Sequence, residues 1–338
     1  MINYNFFSEI RFKYILFFIL GLIAVYLCQS ASKDWSNYQW LFSIDNQKSW
    51  TQMLSEFSIF KEPAYFVLSK LGGEVIGFSL FMGIVTIITL VIKLHYLSKI
   101  VGSVPAACFF YFCLYFFLFD TTVLRVAYAT ALVIPAFYFL QHKRISLSFL
   151  LVGLASQIHL TTIAFMIIYP LYWVRQLNFV VLGIFILSPI LIWIDFSAFD
   201  WLIRFSMIFT DKYQFYARPE LLQQQNSTGL YFYFIGFYYL LVAGIYFYLR
   251  DEILTDPFKR VMASIAMLGV IIMCLLHDNV AVGARLGELF LISTVLLLSW
   301  VYLNARAKQQ LLIQISMIVV FSSYAVARFF YLFPNFFE

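Results

Sequence analysis

Charged residues are scarce in this chain of 338 residues: Asp, Glu, Lys and Arg make up 12%, against about 25% in soluble globular domains. Hydrophobic residues reach 63%, and their runs are continuous rather than alternating, which excludes a disordered chain, a coiled coil and a transmembrane β-barrel. A membrane-spanning helix needs about 20 apolar residues. The composition therefore predicts one all-α transmembrane domain over residues 1–338, without a soluble catalytic module.

Cysteine is scarce as well. The four cysteines all fall inside apolar runs, and their spacing fits neither a disulfide framework nor a Cys/His metal site. We expect the chain to use no metal and no other cofactor. The net charge of +5 comes from basic residues spread over short loops, which is the positive-inside pattern of a membrane protein. Membrane lipid is therefore an expected partner, and nucleic acid is not.

The apolar runs predict a polytopic integral membrane protein with about eleven membrane helices. The run over residues 145–173 decides the topology, because a single helix there would place the later basic loops outside. A break near His159 makes it a short hairpin and returns those loops to the cytoplasmic side. The two substantial polar connections, about 29–73 and 195–229, then lie outside.

Two residues within the apolar runs have the chemistry of an active site. Arg125 follows a predicted helix cap at Asp120, and an arginine within a span costs about 2.5–3.5 kcal/mol at the centre. It therefore needs an anion, for which its planar fork suits phosphate, or it snorkels or pairs with Asp120. His159, at the predicted break, has a side chain that can take a proton from a hydroxyl. The structural alternative is a histidine that only bonds a neighbouring helix.

Further candidates lie on the predicted outer side. Arg285 is the third catalytic candidate, unless it only pairs with Glu288 on the same helix. Carboxylates in the first outer connection would bind sugar hydroxyls, and aromatic rings there would stack on sugar faces, unless this segment is simply an ordered cap at the membrane interface. The candidate substrate-binding residues are Asp34, Trp35, Tyr38, Glu62, Tyr65, Arg204, Arg218, His277, Asp278 and Glu288.

The order of these motifs resembles the EpsG/Wzy-like family of bacterial polysaccharide polymerases. The resemblance covers most of the chain. It rests on Asp34-Trp35-x-x-Tyr38, Glu62-Pro63-Ala64-Tyr65, Arg125-x-x-x-Ala129, the broken-helix histidine after a basic turn, and Ala284-Arg285-Leu286. It implies a multi-pass enzyme of the bacterial inner membrane with a GT-C-like fold and an active site that faces the periplasm.

The same resemblance implies the reaction. The enzyme would join undecaprenyl-pyrophosphate-linked repeat units, as donor and acceptor, into O-antigen, capsule or exopolysaccharide by inverting, metal-independent glycosyl transfer. His159 would be the general base, beside Arg125 and Arg285, and a chain-length regulator is a further possible partner. Three alternatives stay open: a GT-C glycosyltransferase that uses a lipid-monophosphate donor, a membrane O-acyltransferase, and a flippase for lipid-linked oligosaccharides.

Overall fold

The computed structural model describes residues 4–32, 34–55, 62–199, 201–202, 204, 229–333 and 336, and the regular structure of these residues is helical. A π-helix over Phe112–Asp120 continues α6, and a 3₁₀ helix over Leu160–Ile167 precedes α9. The α-helices are α1 (Tyr4–Ala31), α2 (Trp35–Gln47), α3 (Trp50–Ser55), α4 (Pro63–Val75), α5 (Phe78–Val101), α6 (Val104–Tyr111), α7 (Leu124–Gln141), α8 (Ile145–Ile158), α9 (Ile168–Trp173), α10 (Arg175–Trp193), α11 (Gly229–Tyr248), α12 (Arg250–Thr255), α13 (Pro257–Leu275), α14 (Val280–Leu291), α15 (Ser293–Ala307) and α16 (Leu311–Leu332).

Seven helices in the described ranges are long and apolar enough to cross a membrane, and an eighth span results if α14 and α15, bent by 44°, are counted as one. Three further apolar helices, Val104–Asp120, Ile145–Ile158 and Leu160–Trp173, are shorter. A polytopic membrane protein fits these lengths, but the predicted count of eleven membrane helices is not confirmed. The seven are Phe12–Ala31, Phe78–Val101, Leu124–Gln141, Arg175–Trp193, Tyr231–Tyr248, Pro257–Leu275 and Leu311–Leu332.

The predicted break near His159 is confirmed. Helix α8 ends at Ile158, and His159 takes an extended conformation, with φ −146° and ψ 110°. The 3₁₀ helix begins at the next residue. The chain therefore leaves the α-helix at the one histidine of this apolar run.

The first compact unit comprises residues 1–163 and 302–338. Its helix α7 packs against α5 and α8, and 72% of the residues in the apolar stretch of α7 are buried. Helix α7 is therefore the core helix of this unit. Helix α16 packs on the π-helix, with the rings of Phe117 and Phe329 at 5.4 Å. Most of the connection 29–73 is itself helical in the part that the structure describes, and α2 packs against α4.

Asp120 does not cap α7, contrary to the sequence prediction. Val123 occupies the position before the helix, and no side chain caps it. Asp120 instead ends the π-helix and is completely buried. It is therefore used in a long-range contact that is described below.

The second compact unit comprises residues 164–301. Its core helix is α13, which packs against α9, α10, α11, α12 and α14 and has 78% of its apolar window buried. Helices α13 and α14 approach closely at two glycines, because a Cβ on Gly287 would lie 2.9 Å from the carbonyl oxygen of Gly269. The glycine at this position near Arg285 therefore serves helix packing.

Candidate functional site

Three interruptions of helical structure in the first unit bring three predicted site residues together. Glu62 is the residue before α4, Arg125 is the second residue of α7, and His159 follows α8. Arg125 lies 63 residues and His159 lies 97 residues after Glu62 in the sequence. Both side chains nevertheless contact the carboxylate of Glu62. The three side chains therefore meet because each lies at or next to the end of a helix.

The carboxylate of Glu62 is the centre of this arrangement. Arg125 Nη1 donates to Oε2 at 3.0 Å, and Oε1 lies 3.1 Å from His159 Nδ1. The backbone amide of Leu160 also donates to Oε1, at 3.0 Å. The side chain of Glu62 is fully buried, and a buried charge is tolerated only when it is paired and hydrogen-bonded in this way. We call Glu62, Arg125, His159 and the Leu160 amide the Glu62 cluster.

The backbone of Glu62 is strained. Its φ of 57° and ψ of 53° lie in the left-handed region, which costs a non-glycine residue about 1–3 kcal/mol. Pro63 starts α4 at the first helical position, where its missing amide hydrogen is no loss. The Glu62 carbonyl accepts the amide of Tyr65 at 3.1 Å. The contacts of the carboxylate hold this conformation, and such strain is concentrated at functional sites.

The carboxylate also fixes the tautomer of the histidine. An ionised carboxylate only accepts hydrogen bonds, so Nδ1 of His159 is the donor to Glu62. The neutral imidazole then carries its basic lone pair on Nε2. The side chains of Arg125 and His159 remain 21% and 20% exposed above the buried carboxylate. The cluster can therefore offer a guanidinium and a base to a bound molecule.

Two of the predicted aromatic residues flank the guanidinium. The Cζ atom of Arg125 lies 5.8 Å from the ring centroid of Tyr38 and 5.4 Å from that of Tyr65. These are cation–π distances, and both tyrosines are buried. Trp35, at the start of α2, packs its ring against Phe78 at 4.6 Å. Asp34 lies in the turn before α2, where its carbonyl accepts the amide of Tyr38 at 3.0 Å.

The other predicted residues that the structure describes belong to the second unit. Arg285 is exposed on α14, and Glu288 of the same helix is buried. His277 is buried, with Nε2 at 3.2 Å from Asp195 Oδ1. Asp278 is exposed and accepts a hydrogen bond from the hydroxyl of Ser197. Arg204 is exposed, and Arg218 lies outside the described residues.

Sequence reasoning missed a second ionic group in the first unit, the Lys93–Asp120 cluster. Lys93 of α5 donates to Asp120 Oδ1, and both side chains are completely buried. Tyr111 Oη donates to Asp120 Oδ2 at 2.6 Å, and the ammonium of Lys93 lies 5.5 Å from the Tyr111 ring centroid. A lysine well inside a 24-residue apolar helix was the available signal, because such a charge requires a counter-charge.

Metal-binding side chains do not gather in the part of the chain that the structure describes: no three His, Cys, Asp or Glu residues there are placed to hold a metal ion.

Comparison with known families identifies a family match for this chain. The sequence matches the EpsG family over residues 10–336, a range that includes every residue of the Glu62 cluster and of the Lys93–Asp120 cluster. No curated protein and no solved structure is significantly similar to the chain.

Proposed function

The chain belongs to the EpsG family, as its motifs predicted, and from this premise we propose that it is a glycosyltransferase that polymerises lipid-linked oligosaccharide repeat units. The family is associated with glycosyltransferase-like polysaccharide polymerases. Donor and acceptor would both be carried on undecaprenyl pyrophosphate. The reaction would take place on the periplasmic side of the bacterial inner membrane, where repeat units are presented after they cross it.

The observation that carries this proposal is that the Glu62 carboxylate is hydrogen-bonded to both Arg125 and His159. A sugar hydroxyl has a pKa far above 7 and needs a base within hydrogen-bond reach to act as a nucleophile. His159 Nε2 would accept that proton while the hydroxyl oxygen attacks the anomeric carbon of the donor. Glu62 would be a positioning residue, because it holds the tautomer and stabilises the imidazolium that forms.

Arg125 would act on the leaving group. As the new bond forms, the bond between the anomeric carbon and the pyrophosphate oxygen breaks, and negative charge develops on the lipid pyrophosphate. A guanidinium matches two phosphate oxygens at once, and a preorganised cation stabilises charge that appears in the transition state. One displacement with one base inverts the anomeric configuration.

The chemistry of the leaving group also determines whether the reaction needs a divalent metal ion. Pyrophosphate leaves readily, so a cation supplied by Arg125 would be sufficient, and we expect activity without a divalent metal. Arg285 remains a sequence prediction for a second phosphate contact. Tyr38 and Tyr65 flank the guanidinium and would keep it oriented towards the substrate.

The direct test is a polymerisation assay with the full-length protein reconstituted in lipid vesicles. The substrate is a single repeat unit on undecaprenyl pyrophosphate, isolated from a strain that lacks this gene. We expect a ladder of products spaced by one repeat unit, and we expect it to persist in excess chelator. Failure to extend the substrate would contradict the proposal, and a strict metal requirement would favour the lipid-monophosphate alternative.

The deletion strain separates polymerase from flippase. Without a polymerase, single repeat units still reach the outer side and are capped there. Without a flippase, no repeat units reach the outer side at all. Lipid-linked products resolved by size, together with the presence or absence of capped single repeat units on the outer side, therefore distinguish the two functions.

A further inference from the structure

Basic and aromatic side chains of three helices meet at one end of the first unit. The ammonium of Lys13 on α1 donates to the hydroxyl of Ser98 on α5 at 2.9 Å. At the next position of α1, the hydroxyl of Tyr14 lies 2.9 Å from Nδ1 of His95 on α5, and the two rings are stacked with their centroids 5.9 Å apart. These contacts bring the first half of α1 against the last turns of α5.

The same end of α5 contacts the end of α7 through aromatic rings. The rings of Tyr96 and Tyr138 lie 5.3 Å apart, edge to face. The ammonium of Lys99 lies 5.8 Å from the centroid of Tyr96 and 5.6 Å from that of Tyr138, which are cation–π distances. His142, the residue after α7, packs its ring against Tyr138 at 4.2 Å. The two tyrosines therefore hold the exposed Lys99 at this end of the unit.

A tight turn after α7 adds two more cations at this end. The amide of Arg144 donates to the carbonyl of Phe139 at 2.8 Å, and the amide of Lys143 donates to the carbonyl of Leu140 at 3.0 Å. This pair of hydrogen bonds is a Schellman motif, in which the first residue beyond the helix cap is left-handed, and Lys143 has a φ of 60°. The backbone therefore fixes where these two exposed side chains begin.

Within the described residues the cations at this end have no acidic partner: the ion pairs there do not include Lys13, Lys99, Lys143 or Arg144. The sequence has no Asp or Glu at 75–119 or at 121–194, so the ends of α5 and α7 carry none. Each helix C-terminus contributes about −0.5 charge, but α6 and α8 begin within four residues and contribute about +0.5 each. The positive charge of this end is therefore not compensated by helix dipoles.

This end of the first unit lies about one membrane thickness from the Glu62 cluster. Arg125 is the second residue of α7, and His142 follows its last residue. The 18 residues of α7 span about 27 Å at 1.5 Å per residue, and the hydrocarbon core is about 30 Å thick. The loop charges place this end on the cytoplasmic side, so its cations lie at the level of the headgroups of the inner leaflet.

We propose that this end of the unit binds the headgroup of an anionic phospholipid. Basic groups between membrane helices on the cytoplasmic side recognise such headgroups, and tyrosine is typical of that depth. Beside Lys13, the side chains of Phe12 and Ile15 are 70% and 56% exposed and offer apolar surface to acyl chains, which a free anion would not use. The inference does not rest on the proposed reaction. The basic surface comprises Lys13, His95, Lys99, His142, Lys143 and Arg144.

The test measures the melting temperature of the full-length protein in a neutral detergent, since a ligand that binds only the folded state stabilises it. Phosphatidylglycerol is added in increasing amounts, with zwitterionic phosphatidylcholine as the control for the acyl chains. A second arm adds inorganic phosphate, with chloride at equal ionic strength as its control. We expect phosphatidylglycerol to raise the melting temperature well above the effect of phosphatidylcholine, and inorganic phosphate to act no differently from chloride.

Variants locate the response. Lys99→Gln/Arg144→Gln removes two exposed cations of the basic surface and should raise the half-saturating concentration of phosphatidylglycerol at least about tenfold. The matched control is Arg175→Gln/Arg250→Gln, which removes the same charge from two exposed arginines of the second unit. The loop charges place these arginines on the same side of the membrane, and the control should respond as the wild type does.

Without lipid, both double variants should melt near the wild-type temperature, because the replaced side chains are exposed. If Lys99→Gln/Arg144→Gln does not fold, each of its single variants should weaken the response about threefold. The proposal is overturned if phosphatidylglycerol stabilises no more than phosphatidylcholine, or if inorganic phosphate stabilises equally well. It is also overturned if the variants of the basic surface respond like the control, since the lipid would then sense only the total charge.

Discussion

The Glu62 cluster and the Lys93–Asp120 cluster belong to the same unit, yet they treat their charges differently. Lys93 and Asp120 are both completely buried, and each satisfies the other together with Tyr111. In the Glu62 cluster only the acid is buried, whereas Arg125 and His159 remain about one-fifth exposed. A closed pair uses its polar groups within the protein. The Glu62 cluster, in contrast, leaves its cation partly exposed and can offer it to a ligand. Exposure of the cation therefore distinguishes this candidate site from a structural ion pair better than burial of the acid does.

The largest effect should come from Glu62→Gln. Glutamine keeps the size of the side chain but removes the charge that Arg125 and His159 share, and it no longer enforces the histidine tautomer. Replacing the equivalent acid of a catalytic triad by its amide costs about 10⁴-fold in turnover, so we expect a loss of about 10³–10⁴-fold, measured as polymer formed per folded molecule. The control is Glu74→Gln on α4, the helix that Glu62 precedes; the Glu74 side chain is 45% exposed and pairs with Lys70.

Activity near the wild-type level in a folded Glu62→Gln protein would show that the acid does not position the base. The outcome for Glu74→Gln should be unchanged turnover, since the Glu74 carboxylate is exposed and the buried Lys70 keeps its hydrogen bonds to the carbonyls of Asn46 and Lys48.

Substitutions in the Lys93–Asp120 cluster should lower the stability of the protein. Lys93→Met or Asp120→Asn leaves one charge buried without its partner, which costs about 3–5 kcal/mol. The double variant Lys93→Met/Asp120→Asn removes both charges and should recover most of the melting temperature. Turnover per folded molecule should stay within about threefold of the wild type, because a structural pair changes the folded population and leaves the chemistry intact.

The exposed Lys99→Met, at the end of the same helix, is the control and should melt as the wild type does. A double variant as unstable as the singles would mean that the two residues act through other partners.

Arg125→Lys should have an intermediate effect. Lysine keeps the charge but loses the fork that engages two oxygens. The loss of one charge-assisted hydrogen bond, about 1.5–3 kcal/mol, corresponds to roughly 10- to 150-fold in rate. Steady-state turnover checks this, with the exposed Arg144→Lys as the control. Full activity of Arg125→Lys would reduce Arg125 to a counter-charge for Glu62.

The smallest effect should come from the aromatic flank of Arg125. Tyr65→Leu removes a ring 5.4 Å from the guanidinium, and a cation–π contact contributes about 0.5–2 kcal/mol, or roughly 2- to 30-fold in rate. Tyr65→Phe keeps the ring and should keep most of the activity. Equal losses in both variants would assign the effect to the hydroxyl instead.

The sequence predicted Glu62, Arg125 and His159 as site residues but did not predict that they contact one another in the Glu62 cluster. Arg125 and His159 stood out because polar groups within apolar runs are costly, and the break at His159 followed from loop charges. From its sequence position Glu62 is predicted only to bind sugar hydroxyls from an outer connection. Its link to the other two spans 63 and 97 residues, and no local pattern encodes contacts at such separations.

The closed cluster shows the same limit more sharply. The sequence predicts a helix cap at Asp120, since the residues that follow it start an apolar run and local capping is the usual role of such an aspartate. Its actual partner, Lys93, lies 27 residues earlier on another helix. Hydrophobic periodicity locates helices but does not specify which buried charges meet, because that depends on how the helices pack.

In the proposed mechanism His159, oriented by Glu62, takes the proton of the acceptor hydroxyl. The turnover of His159→Gln in the reconstituted polymerisation assay tests this role. Glutamine keeps a hydrogen-bonding side chain but cannot accept the proton, so turnover should fall by about 10²–10⁴-fold, the contribution of a positioned base. The control His142→Gln replaces an exposed histidine on a turn and should polymerise normally. Wild-type turnover by a folded His159→Gln protein would show that the base is another residue.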